Sequence, residues 1–278
     1  MSFRVGVDIG GTFTDLVFLT TDGSALTLKV PSTPDDYSRG IAEGLTLVFK
    51  SGDVEGAKIS EVIHGTTIAT NAILEHQGVN TGLITTEGFR DVLEIRRLRM
   101  PKLYDLTWEK PKPLASRANR TEVIERINNL GEVLTPLDEG TVLSAIDKLL
   151  GNGVEAIAVS LINAYTNGEH ERRIGELIAE QAPDLPICLS SAILPEIKEY
   201  ERTSTVVVNA YILPVVARYL TALSMALTRL DVAAPLLVMQ SSGGAMGVEG
   251  ACLRPIHIIE SGPAAGVVGG AEVAAKLG

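Results

Sequence analysis

The chain has 278 residues, 45% hydrophobic and 21% charged, with a net charge of −10, a composition that supports a large buried core and excludes a disordered or low-complexity polypeptide. The negative balance disfavours nucleic acid and acidic membranes as partners. Two distant cysteines, Cys188 and Cys252, give neither a disulfide framework nor a zinc spacing, and with no apolar leader and no run near the roughly 20 residues of a membrane helix, the expected setting is the reducing cytoplasm.

The chain opens with strand signals. Phe3 to Ile9, Phe13 to Leu19 and Ala25 to Val30 are apolar and β-branched, separated by the Gly10-Gly11 and Asp22-Gly23 turns, which predicts a three-stranded antiparallel meander. Thr33 and Pro34 then read as the cap and first residue of a helix with Ile41, Leu45, Val48 and Phe49 on one face. Glu61 to His64 predicts a strand, Thr67 to Gln77 a helix stopped by Gly78, and Thr81 to Thr85 a strand. Residues 98–119, rich in proline and basic side chains, read as an excursion or small subdomain. A hairpin is expected from Thr121 to Ile127 and Glu132 to Leu134. Helices at Leu137 to Leu150 and Gly168 to Gln181 then alternate with strands at Ala156 to Leu161 and Pro186 to Ser190, a βαβ pattern that implies parallel strands. Ser204 to Leu230 predicts a long helix bent or broken at Pro214. Strands at Leu236 to Gln240 and Ile256 to Ile259 and an Ala/Gly/Val helix at Pro263 to Leu277 complete the reading, with no internal repeat.

Chemistry concentrates in Val7-Asp8-Ile9-Gly10-Gly11-Thr12-Phe13-Thr14-Asp15. A strand ends on an acid, a double-glycine turn follows, then hydroxyls and a second acid. Glycines let the backbone approach a phosphate closely, and successive turn N–H groups form an anion nest even on an acidic protein. Thr12 and Thr14 can add hydroxyl donors, and Asp8 can hold Mg²⁺ directly or through water. An ordinary Gly-Gly hairpin is the bland alternative, disfavoured by the length of the pattern. There is no GxxxxGK[ST], GxGxxG, HExxH or GxSxG motif.

A second segment, His64-Gly65-Thr66-Thr67-Ile68-Ala69-Thr70-Asn71, lies at a strand-to-helix junction. Thr66 or Thr67 can cap the helix, whose exposed N–H groups would form an anion or carbonyl site, and His64 can move a proton or act as a structural hydrogen-bonder. In Glu199-Tyr200-Glu201-Arg202, the acids read as a charged helix start, while Arg202 can hold a carboxylate or phosphate bidentately. Gln240-Ser241-Ser242-Gly243-Gly244 and Glu260-Ser261-Gly262-Pro263-Ala264-Ala265-Gly266 each follow an apolar run. The small-residue helix begun by the second fits either an interdomain hinge or a tightly packed core helix.

Asp8 to Asp15 resembles the first phosphate loop of the actin-like ATPases. His64-Gly65-Thr66-Thr67 with Thr70-Asn71-Ala72, Gly88 to Ile95, Leu194-Pro195-Glu196 with Glu199 to Arg202, and Ser261 to Gly266 narrow the resemblance to the hydantoinase/oxoprolinase family over nearly the whole chain. The resemblance implies an α/β, actin-like (ribonuclease-H-like) ATPase lobe with the leading meander and an inserted subdomain. It divides the chain into an N-terminal region at 1–190 and the start of a hydantoinase A region at 191–278. It also implies ATP and Mg²⁺, with phosphorylation of a substrate carbonyl oxygen and hydrolytic opening of a cyclic amide such as a hydantoin or 5-oxoproline.

On this carry-over Asp8 positions Mg²⁺ and, with His64, forms the catalytic pair. Gly10, Gly11, Thr12, Thr14 and Asp15 surround the phosphates, and Thr66, Thr67, Asn71 and Arg202 lie near the substrate. Two alternatives are an ATP-using subunit of an acetone- or acetophenone-type carboxylase and a non-catalytic lobe that pairs with a complementary chain. Family members carry a second phosphate loop and an adenosine-binding domain beyond the point where these residues stop. The expectation is therefore a chain inactive alone, completed by a second subunit or a fused C-terminal half, and prone to self-association through the exposed Gly/Ala helix.

Overall fold

A computed structural model describes residues 2–97, 104, 105 and 107–277. The opening strands β1 (Phe3–Ile9), β2 (Phe13–Thr20) and β3 (Ala25–Pro31) form the expected antiparallel meander. The next helix, α1 (Tyr37–Ser51), starts later than the Thr33-Pro34 signal because Asp36 is its N-cap, accepting from the Ser38 amide at 3.0 Å. Thr33 closes the preceding turn, its hydroxyl accepting from the Gly40 amide at 3.0 Å. β4 (Ile59–Gly65) and a short α2 (Ile68–Leu74) follow. Gly78, expected as a helix stop, serves close packing: a Cβ there would lie 2.1 Å from the Tyr211 ring.

β5 (Thr81–Thr86) and the single turn α3 (Val92–Ile95) lead into the proline-rich stretch. Of the expected excursion, residues 98–103 and 106 lie outside the described residues; the rest forms no subdomain of its own but belongs to a larger compact unit. The strand expected over Thr121 to Ile127 is split. β6 (Arg120–Val123) joins a parallel sheet, whereas β7 (Arg126–Ile127) pairs antiparallel with β8 (Val133–Thr135) around the expected turn. The break falls where the Ile124 amide donates to the Thr141 hydroxyl (3.1 Å) and the Glu125 carboxylate turns inward to His170 Nδ1 (2.8 Å).

The alternation then runs as α4 (Glu139–Gly151), β9 (Ala156–Ser160), α5 (Glu169–Gln181), β10 (Ile187–Leu189) and the single turn α6 (Ser190–Ile193). α7 (Glu199–Arg229) runs through Pro214 without breaking. By length and composition it is long enough and apolar enough to cross a membrane, which corrects the expectation that no stretch came close. More than half of its most apolar part is buried within the protein, however, and a core helix passes the same test. β11 (Leu236–Met239), β12 (Ala245–Gly247), α8 (Val248–Leu253) and α9 (Ser261–Leu277) complete the chain. The strand expected at Ile256 to Ile259 is instead a 3-10 turn over Pro255–Ile258, with proline at its first position.

Two compact units result, one from Met1–Gln77 with Val215–Gly278, the other from Gly78–Pro214, inserted between the two segments of the first. In the first, a six-stranded mixed sheet has the order β12-β11-β4-β1-β2-β3, with β4 parallel to β1 and β11 parallel to β4. The meander extended by parallel strands is the ribonuclease-H-like arrangement the resemblance implied. α1 packs on β2 and β3, where Gly44 leaves room for Leu16: a Cβ there would lie 2.8 Å from it. α9 does not lie in a core. Its start abuts the sheet, but Val267, Val268 and Val273 are exposed.

In the second unit, β10-β9-β5-β6 form an all-parallel sheet. Every residue of β5 and β9 is buried, as expected for parallel strands covered on both faces. Ile84, Ile157 and Val159 pack with α4 and α5 through Ile146, Leu149, Ile174 and Ile178. The opposite residues, Leu83, Ala156 and Ala158, pack with Val206, Val207 and Ala210 of α7.

Candidate phosphate-binding site

The phosphate-loop candidates all sit at the β1–β2 turn of the first unit. β1 ends with Asp8 facing Asp15 on β2 and Gly65 on β4. Gly65 makes space for the Asp8 carboxylate, since a Cβ at 65 would come within 3.2 Å of Asp8 Oδ1. The Gly10 amide donates to the Phe13 carbonyl at 2.9 Å and tightens the turn. Among the described residues, the Gly11 and Thr12 amides meet no acceptor, and a Cβ on Gly11 would meet nothing within 4 Å. Two adjacent N–H groups without an acceptor are what a nest for an oxyanion requires.

Ser32, which no sequence motif singled out, staples this loop. Its amide donates to the Thr12 carbonyl (2.9 Å), its hydroxyl donates to the Gly10 carbonyl (2.8 Å), and Thr14 Oγ1 lies 3.0 Å from its Oγ. Thr14 is only 1% exposed and so braces the loop from behind. Thr12 is exposed beside the free amides. Asp15 is committed to Lys29 across the strands, at 2.7 Å. The Asp8 carboxyl is held above the usual carboxylate range, first by partial burial and then by the Asp15 charge, with Lys29 opposing. A cation beside Asp8 would relieve that repulsion. Among the described residues no group of three or more His, Cys, Asp or Glu side chains closes around a cation, and at this turn Asp8 is a carboxylate not committed to a lysine. That suits Mg²⁺, which keeps most of its waters and takes phosphate oxygens.

His64 lies on β4 between β1 and β11 with no exposed surface. Its Nδ1 is 3.2 Å from the Val7 carbonyl and its Nε2 2.7 Å from the Tyr219 hydroxyl on α7. The carbonyl can only accept, which places the ring proton on Nδ1 and leaves Nε2 to accept from tyrosine. Burial pulls its pKa from 6.5 down to about 4, so the ring is neutral near pH 7. Both nitrogens are engaged within the fully buried ring, which holds the Tyr219 hydroxyl in place.

The β4–α2 junction is tied to the start of α9. The Thr66 amide donates to Ser261 Oγ (3.1 Å), which donates back to the Thr66 carbonyl (2.8 Å), and the Ile68 amide donates to Thr66 Oγ1 (3.2 Å). Two of the amides at this junction, those of Thr66 and Ile68, are thus satisfied internally. Thr67 donates to the Ile9 carbonyl (3.3 Å) and accepts from Asn71 Nδ2 (3.5 Å), tying α2 to the end of β1.

Gly11 and Asn71 share a cavity of about 700 Å³ with Tyr37, Ile68 and Tyr219, within the ~300–1,000 Å³ of small-molecule sites. Arg202 belongs to the other unit and is fully buried. Its guanidinium donates to the Glu196 and Leu161 carbonyls (2.7 and 2.8 Å), pairs with Glu199 and lies over the Tyr165 ring. It has no surface for a substrate and braces the end of β9. Tyr219 escaped the sequence reading because it stands 155 positions from His64, with no periodic signal to join them.

Residues 4–182 match the hydantoinase/oxoprolinase N-terminal region, and residues 202–278 match hydantoinase/oxoprolinase. The caprolactamase subunit alpha of Pseudomonas jessenii is 35% identical over 99% of this chain and 40% of its own length. The structure of ATP-dependent caprolactamase from that organism superposes with a TM-score of 0.87 at 36% identity, over 94% of this chain and 39% of that one. The 5-oxoprolinase of Saccharomyces cerevisiae is 30% identical over 96% of this chain and 24% of its own length. A nucleotide-free structure of acetone carboxylase, described as carrying out ATP-dependent acetone carboxylation, superposes with a TM-score of 0.90 at 26% identity, over 99% of this chain and 41% of that one. The chain thus spans about two fifths of the length of the first curated relatives it matches.

Proposed function

The chain belongs to the hydantoinase/oxoprolinase family, and from that premise we propose that its first unit supplies one face of an ATP grip in an enzyme that opens a cyclic amide. The free Gly11 and Thr12 amides beside a ligand-sized cavity carry the reading. ATP supplies the phosphoryl group. A bond forms between its γ-phosphorus and the amide oxygen, the bond to the β–γ bridging oxygen breaks, and ADP leaves. The activated carbon then accepts water, the ring C–N bond breaks, and a second water releases phosphate, leaving an open-chain amino acid.

In this scheme Gly11 and Thr12 donate to phosphate oxygens, and Asp8 would hold Mg²⁺, which would supply positive charge to those oxygens. Thr14 and Ser32 keep the loop closed from behind. Asn71 presents its amide to the cavity, and Tyr219, fixed by His64, forms a wall. Effective phosphoryl transfer needs both sides of the phosphate chain held. The second side is proposed to come from a further part of a longer polypeptide or from a partner subunit. A ketone in place of the amide is the second reading, favoured by the acetone carboxylase likeness.

Calorimetric titration of Mg·ATP into the 278-residue chain tests the grip. Saturable binding in the millimolar range is expected, weakened about tenfold or more, roughly 1.4 kcal/mol, by Asp8→Ala. Binding indifferent to both Asp8 and Mg²⁺ would remove the basis of the reading.

A further inference from the structure

The inserted unit holds a small cavity of its own, of about 150 Å³. Leu93, Leu114 and Val207 give it apolar wall, and Arg96, Lys112 and Tyr200 give it polar groups. Lys112 comes from the basic, proline-rich stretch and Tyr200 from the Glu199-Tyr200-Glu201-Arg202 segment. Arg96 reaches the cavity from a costly backbone, with φ 58° and ψ −139°, a combination that residues with side chains rarely adopt. Its amide donates to the Val92 carbonyl (3.0 Å) and its Nε to the Tyr200 hydroxyl (3.2 Å). The tyrosine thus accepts from Arg96, and its own proton meets no acceptor among the described residues. Among those residues no acid lines the cavity. The carboxylates that flank it in sequence are neutralised elsewhere: Glu94 pairs with Arg120 at 3.2 Å and Glu201 with Arg97 at 2.6 Å. Two other cavities carry both signs. Asp35, Asp36 and Glu75 accompany Arg218 beside the phosphate loop, and Glu87, Glu122 and Asp138 accompany Arg90 and Lys148 along β6.

We propose that this cavity is a binding site for a small aliphatic carboxylate, independent of the ATP and cyclic-amide reading above. Two cations that share a cavity without a counter-charge repel each other, and an anion between them removes that repulsion. The Arg96 fork matches a carboxylate, Tyr200 donates its free proton, and Lys112 adds charge. The apolar wall takes the hydrocarbon chain. A cavity of this volume holds about six heavy atoms, the size of benzene, which fits a four-carbon acid. Inorganic phosphate would satisfy the same donors but leave the apolar wall uncovered, so the lining favours the carboxylate.

The test titrates butyrate, its neutral counterpart butyramide and inorganic phosphate into the 278-residue chain, followed by ligand-observed NMR. Butyrate is expected to bind saturably, about tenfold or more tightly than butyramide, and to weaken as salt rises. Arg96→Gln should erase the preference for the charged compound, and Lys112→Gln should reduce it. If circular dichroism shows that Arg96→Gln does not fold, Lys112→Gln decides alone, because its side chain is exposed. Equal binding of butyrate and butyramide, no saturable binding of butyrate, or a preference untouched by these substitutions overturns the proposal. Phosphate binding more tightly than butyrate overturns the carboxylate class. Asp8→Ala, in the other unit, should leave butyrate binding unchanged. Loss of butyrate binding in that variant would put the anion at the phosphate loop and overturn the inference. Mg·ATP binding measured in parallel keeps the two readings separate, since either can fail while the other stands.

Discussion

Gly78→Ala is expected to destabilise the inserted unit severely. A Cβ at this position would lie 2.1, 2.3 and 2.4 Å from three ring atoms of Tyr211, distances no rotamer adjustment of a methyl group can relieve. The ring cannot easily swing away, because Tyr211 is 7% exposed and its carbonyl accepts from the Val79 amide at 3.0 Å, which holds the two backbones together. Overpacking a filled core costs about 1–3 kcal/mol and occasionally more, and this contact belongs at the upper end. Urea unfolding would report it as a lower midpoint at unchanged slope. Tyr211→Ala should be destabilising alone, yet add less in the Gly78→Ala background than in the wild type, because the clash is then gone. A loss below about 0.5 kcal/mol for Gly78→Ala, the range of ordinary surface substitutions, would show that the helix and the 78–79 segment can separate at little cost.

The buried His64–Tyr219 pair should make stability fall on mild acidification. The histidine is neutral in the fold, with its pKa lowered from 6.5 to about 4 by burial, while the unfolded chain titrates at the ordinary value. Between those values the unfolded state binds more protons, so stability rises with pH there. The contribution is fully present above pH 6.5 and is lost progressively as the pH drops toward 4. Its size is on the order of 3 kcal/mol, at 1.36 kcal/mol per pKa unit. Denaturant titrations at several pH values would measure it against His64→Gln, which does not titrate and should flatten the slope in this window. Tyr219→Phe removes the hydroxyl that donates to Nε2 at 2.7 Å and should cost about 1–3 kcal/mol near neutral pH by stranding a buried acceptor. An identical pH slope in wild type and His64→Gln would mean that the ring is protonated freely in the fold.

Features that depend on neighbours along the chain are legible in the residues themselves. The meander of β1, β2 and β3 follows from alternation and tight turns. The parallel sheet of the inserted unit follows from apolar β-branched runs alternating with helices. The candidate phosphate loop is marked by glycines and hydroxyls packed into nine consecutive residues. Where local signals competed, tertiary contacts decided. Thr33 carries the local cap signal, yet the cap is Asp36, and Thr33 instead accepts from the Gly40 amide. Ile256 to Ile259 looked like a strand, but Pro255 removes a donor and sets a 3-10 turn. Pro214 promised a break in α7, yet packing on both sides of it keeps the helix continuous.

The environment of each candidate side chain was beyond local reading altogether. Arg202 and His64 carry groups able to meet a ligand, yet folding buries both, with an interior carbonyl and a distant tyrosine as their partners. Sequence spacing fixes which face of an element a residue occupies, but hydrogen-bond partners and exposure depend on segments that approach from far along the chain. Only the packed tertiary structure brings those segments together.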